Sequence, residues 1–400
     1  MGSTQKFKKV KTAVIGCGMI SDIYIRNLKE LFDIIDLVAI ANRSMNAAKE
    51  KAETFGIDRV MTIDEVAASE DIELVVNLTP ANVHYEIIKK MLEAGKHVYT
   101  EKMFTTRLEE AEELIKIAEE KKLQIAVAPD TVLGAGIQTA RNYLDSGIIG
   151  EVTSGFVSVN RDQCLMSELF RFLQQEGGAI PYDAGIYYIG ALITLLGSVK
   201  RISGFGAPAL VHNKQLLFVK GNPDSWQLPG TNVLCGSLEF ENGALVSLHF
   251  NGNNVGGERT RFELFGTRGN MELGDPNKFD GPVTISLPEN EPVKMPFTHG
   301  FNGKNMLGEP RPFDGYGHRG VGVADLAYAI RQERKNRLSK EYGYHCMEIL
   351  LGLDESIKTG KAYELKSRAE VEPLKPGFYS SMFDGMLRAD AELSLIYPRN

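Results

Sequence analysis

Between Lys9 and about Ala128, short β-branched apolar runs alternate with longer segments whose apolar residues recur every three or four positions. Continuous apolar runs suit strands buried on both faces and the longer segments suit crossover helices, so the pattern predicts a parallel sheet with helices on its faces. The predicted strands are Thr12–Ile15, Leu37–Ala41, a weaker one at Val60–Thr62, Leu74–Leu78, His97–Thr100 and Gln124–Ala128. Helices are expected over Met45–Thr54, His84–Ala94 and Leu108–Lys121. Gly56 and Gly95 stand just past two of them, where a residue of positive φ ends a helix.

After Pro129 the rhythm changes. A helix is expected around Ile137–Ser146, then strands interrupted by a strongly apolar helix over Gly185–Leu196. Beyond it Val199–Ala207, Val233–Glu239, Ala244–Asn251, Arg261–Gly266 and Asn270–Leu273 follow one another without helices between them, the mark of an antiparallel sheet. Helical period returns at Val323–Asn336 and Tyr342–Thr359, with Gly360 as a stop, and these helices are expected to pack back onto the body. From Pro376 onward Tyr379, Met382, Phe383, Met386 and Leu387 fall on a mild helical pattern that suits an arm covering a neighbour.

A chain of 400 residues exceeds what one core accommodates, which supports a first unit at 1–129, an α+β unit at 130–375 and an arm at 376–400. With 45 basic against 52 acidic residues, no stretch gathers Lys and Arg into a nucleic-acid footprint. Cys17, Cys164, Cys235 and Cys346 are far apart and form no C-x-x-C pair, so neither a disulfide framework nor a zinc knuckle is expected, and a cytoplasmic location fits. The longest uncharged stretch, Ala184–Val199, is sixteen residues, below the roughly 18 to 20 of a spanning helix, so no membrane is expected. The apolar run after Lys11 lacks a signal-peptide cleavage pattern. His345-Cys346, His318-Arg319 and the lone His212, His249 and His299 lack metal-ligand spacing, so no metal is expected either.

The chemistry starts at Gly16-Cys17-Gly18, between the first strand and the first helix. Such a turn lets backbone approach a pyrophosphate whose charge then sits at the helix N-terminus, formed here by Met19, Ile20 and Ser21, the last in place of a third glycine. At the end of the second strand, where a Rossmann domain selective for NAD offers an acid, the chain reads Asn42-Arg43-Ser44. Arg43 and Ser44 could hold a 2′-phosphate, which leans the expectation to NADP; in the other reading Asn42 binds the ribose diol of NAD. Thr79, Pro80, Asn82 and His84 follow the fourth strand and Glu101-Lys102 the fifth, all at the carboxyl edge where such sheets bind ligands.

These features, with the Thr79-Pro80-x-x-x-His84 loop, the Ala94-Gly95-Lys96-His97-Val98-Tyr99-Thr100-Glu101-Lys102 run and Gly177-Gly178-x-x-x-x-Asp183-Ala184-Gly185-Ile186-Tyr187, resemble the glucose–fructose oxidoreductase, inositol dehydrogenase and rhizopine-catabolism (Gfo/Idh/MocA) family over roughly Lys9 to Ser367. The resemblance implies a doubly wound Rossmann domain followed by an α+β domain with a large, open-faced, mostly antiparallel sheet. It also implies NAD(P)-linked redox chemistry at a sugar, polyol or related carbonyl. Lys102 matches the lysine of the family's Glu-Lys-Pro signature, beside nicotinamide and substrate, with Met103 replacing the proline and leaving the turn less rigid. Asp183 and Tyr187 match the Asp-x-Gly-x-Tyr form of a second signature.

Hydride transfer at a carbinol carbon needs a group to exchange a proton with the oxygen. A phenol does this best beside a cation that favours the phenolate. The division of labour that follows makes Tyr187 the acid/base, Lys102 the cation and substrate-oxygen contact, and Asp183 the acceptor that orients sugar hydroxyls. Against it, Asp183 could simply cap the helix, Tyr187 could be a core aromatic like its neighbour Tyr188, and Arg171 either closes over the nicotinamide or lies at the surface. The leading function is an NAD(P)-dependent dehydrogenase or reductase. The alternative is a glycosidase or lyase that retains NAD and oxidises its substrate transiently, and a third reading is a binding protein without turnover. An open sheet face needs covering, so a homodimer or homotetramer through that face is expected.

Overall fold

The computed structural model describes residues 7–210, 228–303 and 317–377. The chain begins β1 (Val10–Ile15), α1 (Ser21–Glu30), β2 (Ile35–Ala41), α2 (Met45–Phe55), β3 (Arg59–Met61), α3 (Ile63–Ala68), β4 (Leu74–Asn77), α4 (His84–Glu93), β5 (His97–Thr100), α5 (Leu108–Glu120) and β6 (Ile125–Val127). The six strands lie in the order β3-β2-β1-β4-β5-β6, and every pairing is parallel. Succession reverses between β1 and β4, which opens a crevice at their carboxyl ends. The central strands are largely apolar because helices cover both faces: Ala13, Val14, Ile15, Leu74, Val75 and Val76 are all fully buried. The first β-rich half is thus the doubly wound sheet that its patterning predicts.

The second half contains α6 (Ala135–Asp145), β7 (Val152–Asn160), α7 (Gln163–Leu169), α8 (Ile186–Leu196), β8 (Val199–Pro208), β9 (Thr231–Phe240), β10 (Leu245–Asn251), β11 (Arg259–Gly266), β12 (Asn270–Leu273), β13 (Val283–Ser286), β14 (Val293–Lys294), α9 (Val321–Gln332), α10 (Lys340–Thr359) and β15 (Tyr363–Glu364). Its nine strands run β14-β13-β12-β11-β7-β10-β9-β8-β15, antiparallel except for the β10–β7 pair. Val157, Val159, Leu248, Phe250 and Phe262 point to the helices and are buried. The opposite face presents Ser203, Phe205, Cys235, Ser237, Leu245 and Ser247, all exposed.

Helix α10 joins the two halves. At Gly343 its backbone lies on β6, where a Cβ would meet the Val127 side chain at 2.4 Å, and further along Leu353 reaches Gly236 of the second sheet. Its ends are well specified: the Ser339 side chain accepts from the Tyr342 amide, and Gly360 closes the helix in the left-handed region.

Several elements depart from the sequence expectation. Helix α3 was missed although Thr62 and Glu65 form a reciprocal capping box, a signal present in the sequence. Helix α9 ends at Gln332, short of Asn336, because Glu333 turns left-handed and Arg334 and Arg337 fold back to the buried Asp325 carboxylate. Asp183 does not cap α8; it lies within a wide turn, Pro181–Gly185, that leads into the helix. Of the expected arm, only Pro376 and Gly377 are among the described residues; the rest lies outside them.

Candidate active site

At the β1–α1 turn, Gly16 has φ +108, and a Cβ there would sit 2.8 Å from the Leu78 carbonyl carbon. Only glycine fits, and the turn thereby lies directly against the end of β4. Gly18, by contrast, faces open space, and Met19 and Ile20 are exposed beside it. Helix α1 starts without a side-chain cap at Ile20, and Ser21 bonds back to the Gly18 carbonyl at 2.6 Å. A helix N-terminus without a side-chain cap, reached over a side-chain-free turn, fits the pyrophosphate of a dinucleotide.

At the end of β2, Asn42 is half-buried while Arg43 and Ser44 are exposed; the Ser44 hydroxyl caps α2 and accepts from the Ala47 amide. After β4, Thr79 is half-buried, bonded through its hydroxyl to the Asn77 side chain at 2.7 Å, and Pro80 and Asn82 are exposed. His84 is fully buried below this edge. Its ring nitrogens lie 2.6 Å from the Met103 carbonyl and 2.7 Å from the Thr79 carbonyl, so the ring ties together the two loops that follow β4 and β5. Burial pulls its pKa below the ordinary value, with the two carbonyls working in the other direction.

The chain leaves β5 through Glu101 and Lys102, and the Lys102–Met103 peptide is cis. Glu101 accepts from the Tyr24 hydroxyl at 2.8 Å and from the Lys102 amide at 3.0 Å, which fixes the start of the turn. The Lys102 ammonium reaches across to the second half of the molecule, 2.8 Å from Asp183 Oδ1 and 3.1 Å from the Asp183 carbonyl. The other oxygen of Asp183 accepts from Arg161 and from Gln163, the latter at 3.3 Å. Burial alone would raise the Asp183 pKa, but Lys102 and Arg161 hold it down at about 2. Burial alone would likewise lower Lys102, but the Asp183 carboxylate and Tyr187 beside it raise it above its usual value.

Tyr187 stands in the first turn of α8, nearly buried, with Lys102 Nζ 5.4 Å and Arg319 Cζ 5.3 Å from its ring centre. Arg319 Nη2 lies 3.4 Å from its hydroxyl. The adjacent Tyr188 turns the other way and packs on Phe262, ring centres 5.7 Å apart. The structure therefore brings Lys102, Asp183 and Tyr187 together. Arg171 begins a short turn at the surface and is exposed. Gln163 and Arg319 were not singled out from the sequence: Gln163 follows β7, a strand expected in this region but not placed, and Arg319 comes from far along the chain. Such a cluster can hold a hydroxylated substrate by its oxygens and keep a phenol among fixed charges. Among the described residues no group of three or more His, Cys, Asp or Glu is placed to hold a metal ion, and no helix is long and apolar enough to cross a membrane.

Residues 10–128 match the sequence model of an oxidoreductase family with an NAD-binding Rossmann fold, and residues 137–272 that of the GFO/IDH/MocA C-terminal domain. An uncharacterized oxidoreductase of Schizosaccharomyces pombe is 34% identical over 197 residues, which is 48% of this chain and 53% of the relative. The dTDP-3,4-didehydro-2,6-dideoxy-α-D-glucose 3-reductase of Streptomyces violaceoruber is 29% identical over 206 residues, 51% of this chain and 59% of that enzyme. These matches therefore span little more than half of each relative's length. A levoglucosan dehydrogenase solved with NADH and L-sorbose shares the fold, with a TM-score of 0.75 and 20% identity over 90% of this chain and all of that one.

Proposed function

The chain belongs to the GFO/IDH/MocA family of oxidoreductases, and on that premise we propose that it moves a hydride between a nicotinamide dinucleotide and a sugar, polyol or related carbonyl compound. The observation that carries this reading is the meeting of Lys102, Asp183 and Tyr187 at the carboxyl edge of β5, on the side of the sheet that holds the α1 N-terminus. The bound dinucleotide would supply the hydride acceptor or donor. Gly16, Gly18 and the first residues of α1 would hold its pyrophosphate, Asn42, Arg43 and Ser44 its ribose end, and Thr79, Pro80, Asn82 and Glu101 the remainder along the edge.

Tyr187 takes the proton from the substrate hydroxyl in oxidation and returns it in reduction. Lys102 contacts the same oxygen and stabilises negative charge there. Asp183, kept ionised by Lys102 and Arg161, accepts hydrogen bonds from neighbouring substrate hydroxyls. Arg43, exposed at the end of β2 with no acidic side chain beside it in sequence, favours NADP over NAD through a charge-assisted contact to a 2′-phosphate. A second copy of the chain covers the exposed sheet face.

The test is a panel of pyranoses, inositols and their keto forms offered with NAD(H) and NADP(H), following nicotinamide absorbance and products together. A stoichiometric absorbance change is expected. Cleavage or elimination products without such a change would replace net redox with transient oxidation, and a chain that binds dinucleotide but transforms nothing would overturn the proposal. Sedimentation of a monomer would remove the second copy from it.

A further inference from the structure

Arg319 is among the largest fully buried side chains of the described residues, in the turn immediately before α9. A guanidinium is charged at every accessible pH, so its burial demands hydrogen-bonding partners, and the choice of partners reveals what it does. Arg319 finds such partners in Asp130, Asn277 and Tyr187. Its counter-ion Asp130 is spent mainly on backbone, Oδ2 accepting from the Gly320 amide at 2.7 Å and from Gly322 at 3.4 Å. Arg319 Nη1 keeps a loose 3.4 Å contact to the other oxygen. Meanwhile Nη2 is anchored on Asn277 Oδ1 at 2.7 Å and lies 3.4 Å from the Tyr187 hydroxyl, with the guanidinium carbon 5.3 Å from the tyrosine ring centre.

We infer that Arg319 is a positioning residue for the reaction at Tyr187: oriented by Asp130 and Asn277, it fixes the phenol and carries the counter-charge when the phenol proton is away. The inference rests on the proposed role of Tyr187. In oxidation the substrate C–H pair leaves as hydride to the nicotinamide and the O–H proton passes to the phenolate oxygen. In reduction the phenol O–H bond breaks as the new substrate O–H forms, and the electron pair left on Tyr187 faces two cations, Lys102 from β5 and Arg319 from the α9 turn. Lys102 also holds Asp183 and serves the substrate oxygen, whereas Arg319 is held by Asn277 and Asp130. That arrangement stabilises the charge without competing for the substrate oxygen.

Among the described residues, the charged and titratable groups around this point include Glu101, Tyr24, Tyr99, Lys102 and Tyr342 besides Asp130. Burial raises Asp130 to about 6, with Arg319 opposing it and Glu101 adding to it. Protonation of that carboxyl weakens the hold on Arg319, so the acid side of the activity profile carries this group.

The experiment compares wild type with Arg319→Gln, Arg319→Lys and Asn277→Ala, measuring kcat against pH, dinucleotide affinity by fluorescence, and the phenolate absorbance that each protein loses when Tyr187→Phe is added. For Arg319→Gln the expected result is at least a tenfold loss of kcat and a pH profile displaced upward by about one unit, with dinucleotide affinity unchanged. Arg319→Lys should recover part of the profile, because it restores charge without the fork. If Arg319→Gln does not fold, Asn277→Ala keeps the guanidinium and releases its anchor, and should lower kcat severalfold with the same direction of displacement. Folded variants whose pH profile and Tyr187-dependent phenolate signal match wild type would overturn the inference. Should the wild type turn over no sugar at all, the functional reading falls, while the phenolate signal still decides the Arg319–Tyr187 coupling.

Discussion

Replacing Asp183 by asparagine keeps its shape and removes the one carboxylate shared by Lys102 and Arg161. The side chains of Lys102 and Asp183 are only 15% and 14% exposed, so water screens the pair little. Breaking a buried pair from one side costs about 3–5 kcal/mol because the remaining charge is stranded. For 400 residues unfolding together, the unfolding entropy converts that cost to a fall in Tm of about 4–6 °C at pH 7. The pH dependence follows from the depressed carboxyl. Its folded pKa of about 2 lies below the ordinary 3.8, so its stabilisation is complete above pH 4 and lost as pH falls toward 2. Of the total, roughly 2 kcal/mol belongs to this proton linkage. Thermal and urea unfolding of both proteins between pH 7 and pH 3 should therefore show a gap that is constant down to about pH 5 and narrows below pH 4. A variant as stable as wild type at pH 7, or a gap that widens on acidification, would refute the reasoning that the carboxylate is ionised and shared.

Three other substitutions test separate parts of the site. Gly16→Ala forces a Cβ to 2.8 Å from the Leu78 carbonyl carbon at a positive φ, and should abolish dinucleotide binding in a fluorescence titration while costing a few kcal/mol, roughly 1–3, in unfolding free energy. Arg43→Ala should weaken NADPH at least about tenfold and leave NADH within twofold, since a charge-assisted bond is worth roughly 1.5–3 kcal/mol; equal losses for both would remove Arg43 from cofactor selection. Tyr187→Phe should reduce turnover at least roughly tenfold while sparing dinucleotide affinity, and unchanged turnover would remove it from the mechanism.

The parallel half was legible because its signals are local. Strands buried on both faces are largely apolar, and His97–Thr100 and the start of α2 at Met45 fall where the pattern places them. The second half was legible wherever strands alternate cleanly, as in Asn270–Leu273. Strands were expected between the helices here, but β7 was not placed, because serine and glycine dilute its Val-Thr-Ser-Gly-Phe-Val-Ser-Val-Asn sequence, Gly155 taking a position on the buried face beside Val157 and Val159. Without its place, the delivery of Arg161 and Gln163 to the site was not legible. Asp183 also admitted a reading as a helix cap, since nothing local reveals the wide turn that frees its carboxylate for Lys102. Arg319 was out of reach altogether: its meeting with Tyr187 depends on how α9 returns to the sheet, which no spacing in the sequence encodes.

Helix α10 lies on Val127 through Gly343 and reaches Gly236 through Leu353, so one rigid rod is wedged against both sheets. Mechanically it is a brace. Two bodies joined by a flexible linker could open like jaws, but a hinge here would have to shear a helix off the Val127 side chain packed directly on the Gly343 backbone. The spacing between the edge offered to the dinucleotide and the carboxylate that faces the substrate is consequently set when the protein folds, and any gating of the site falls to its loops rather than to its halves.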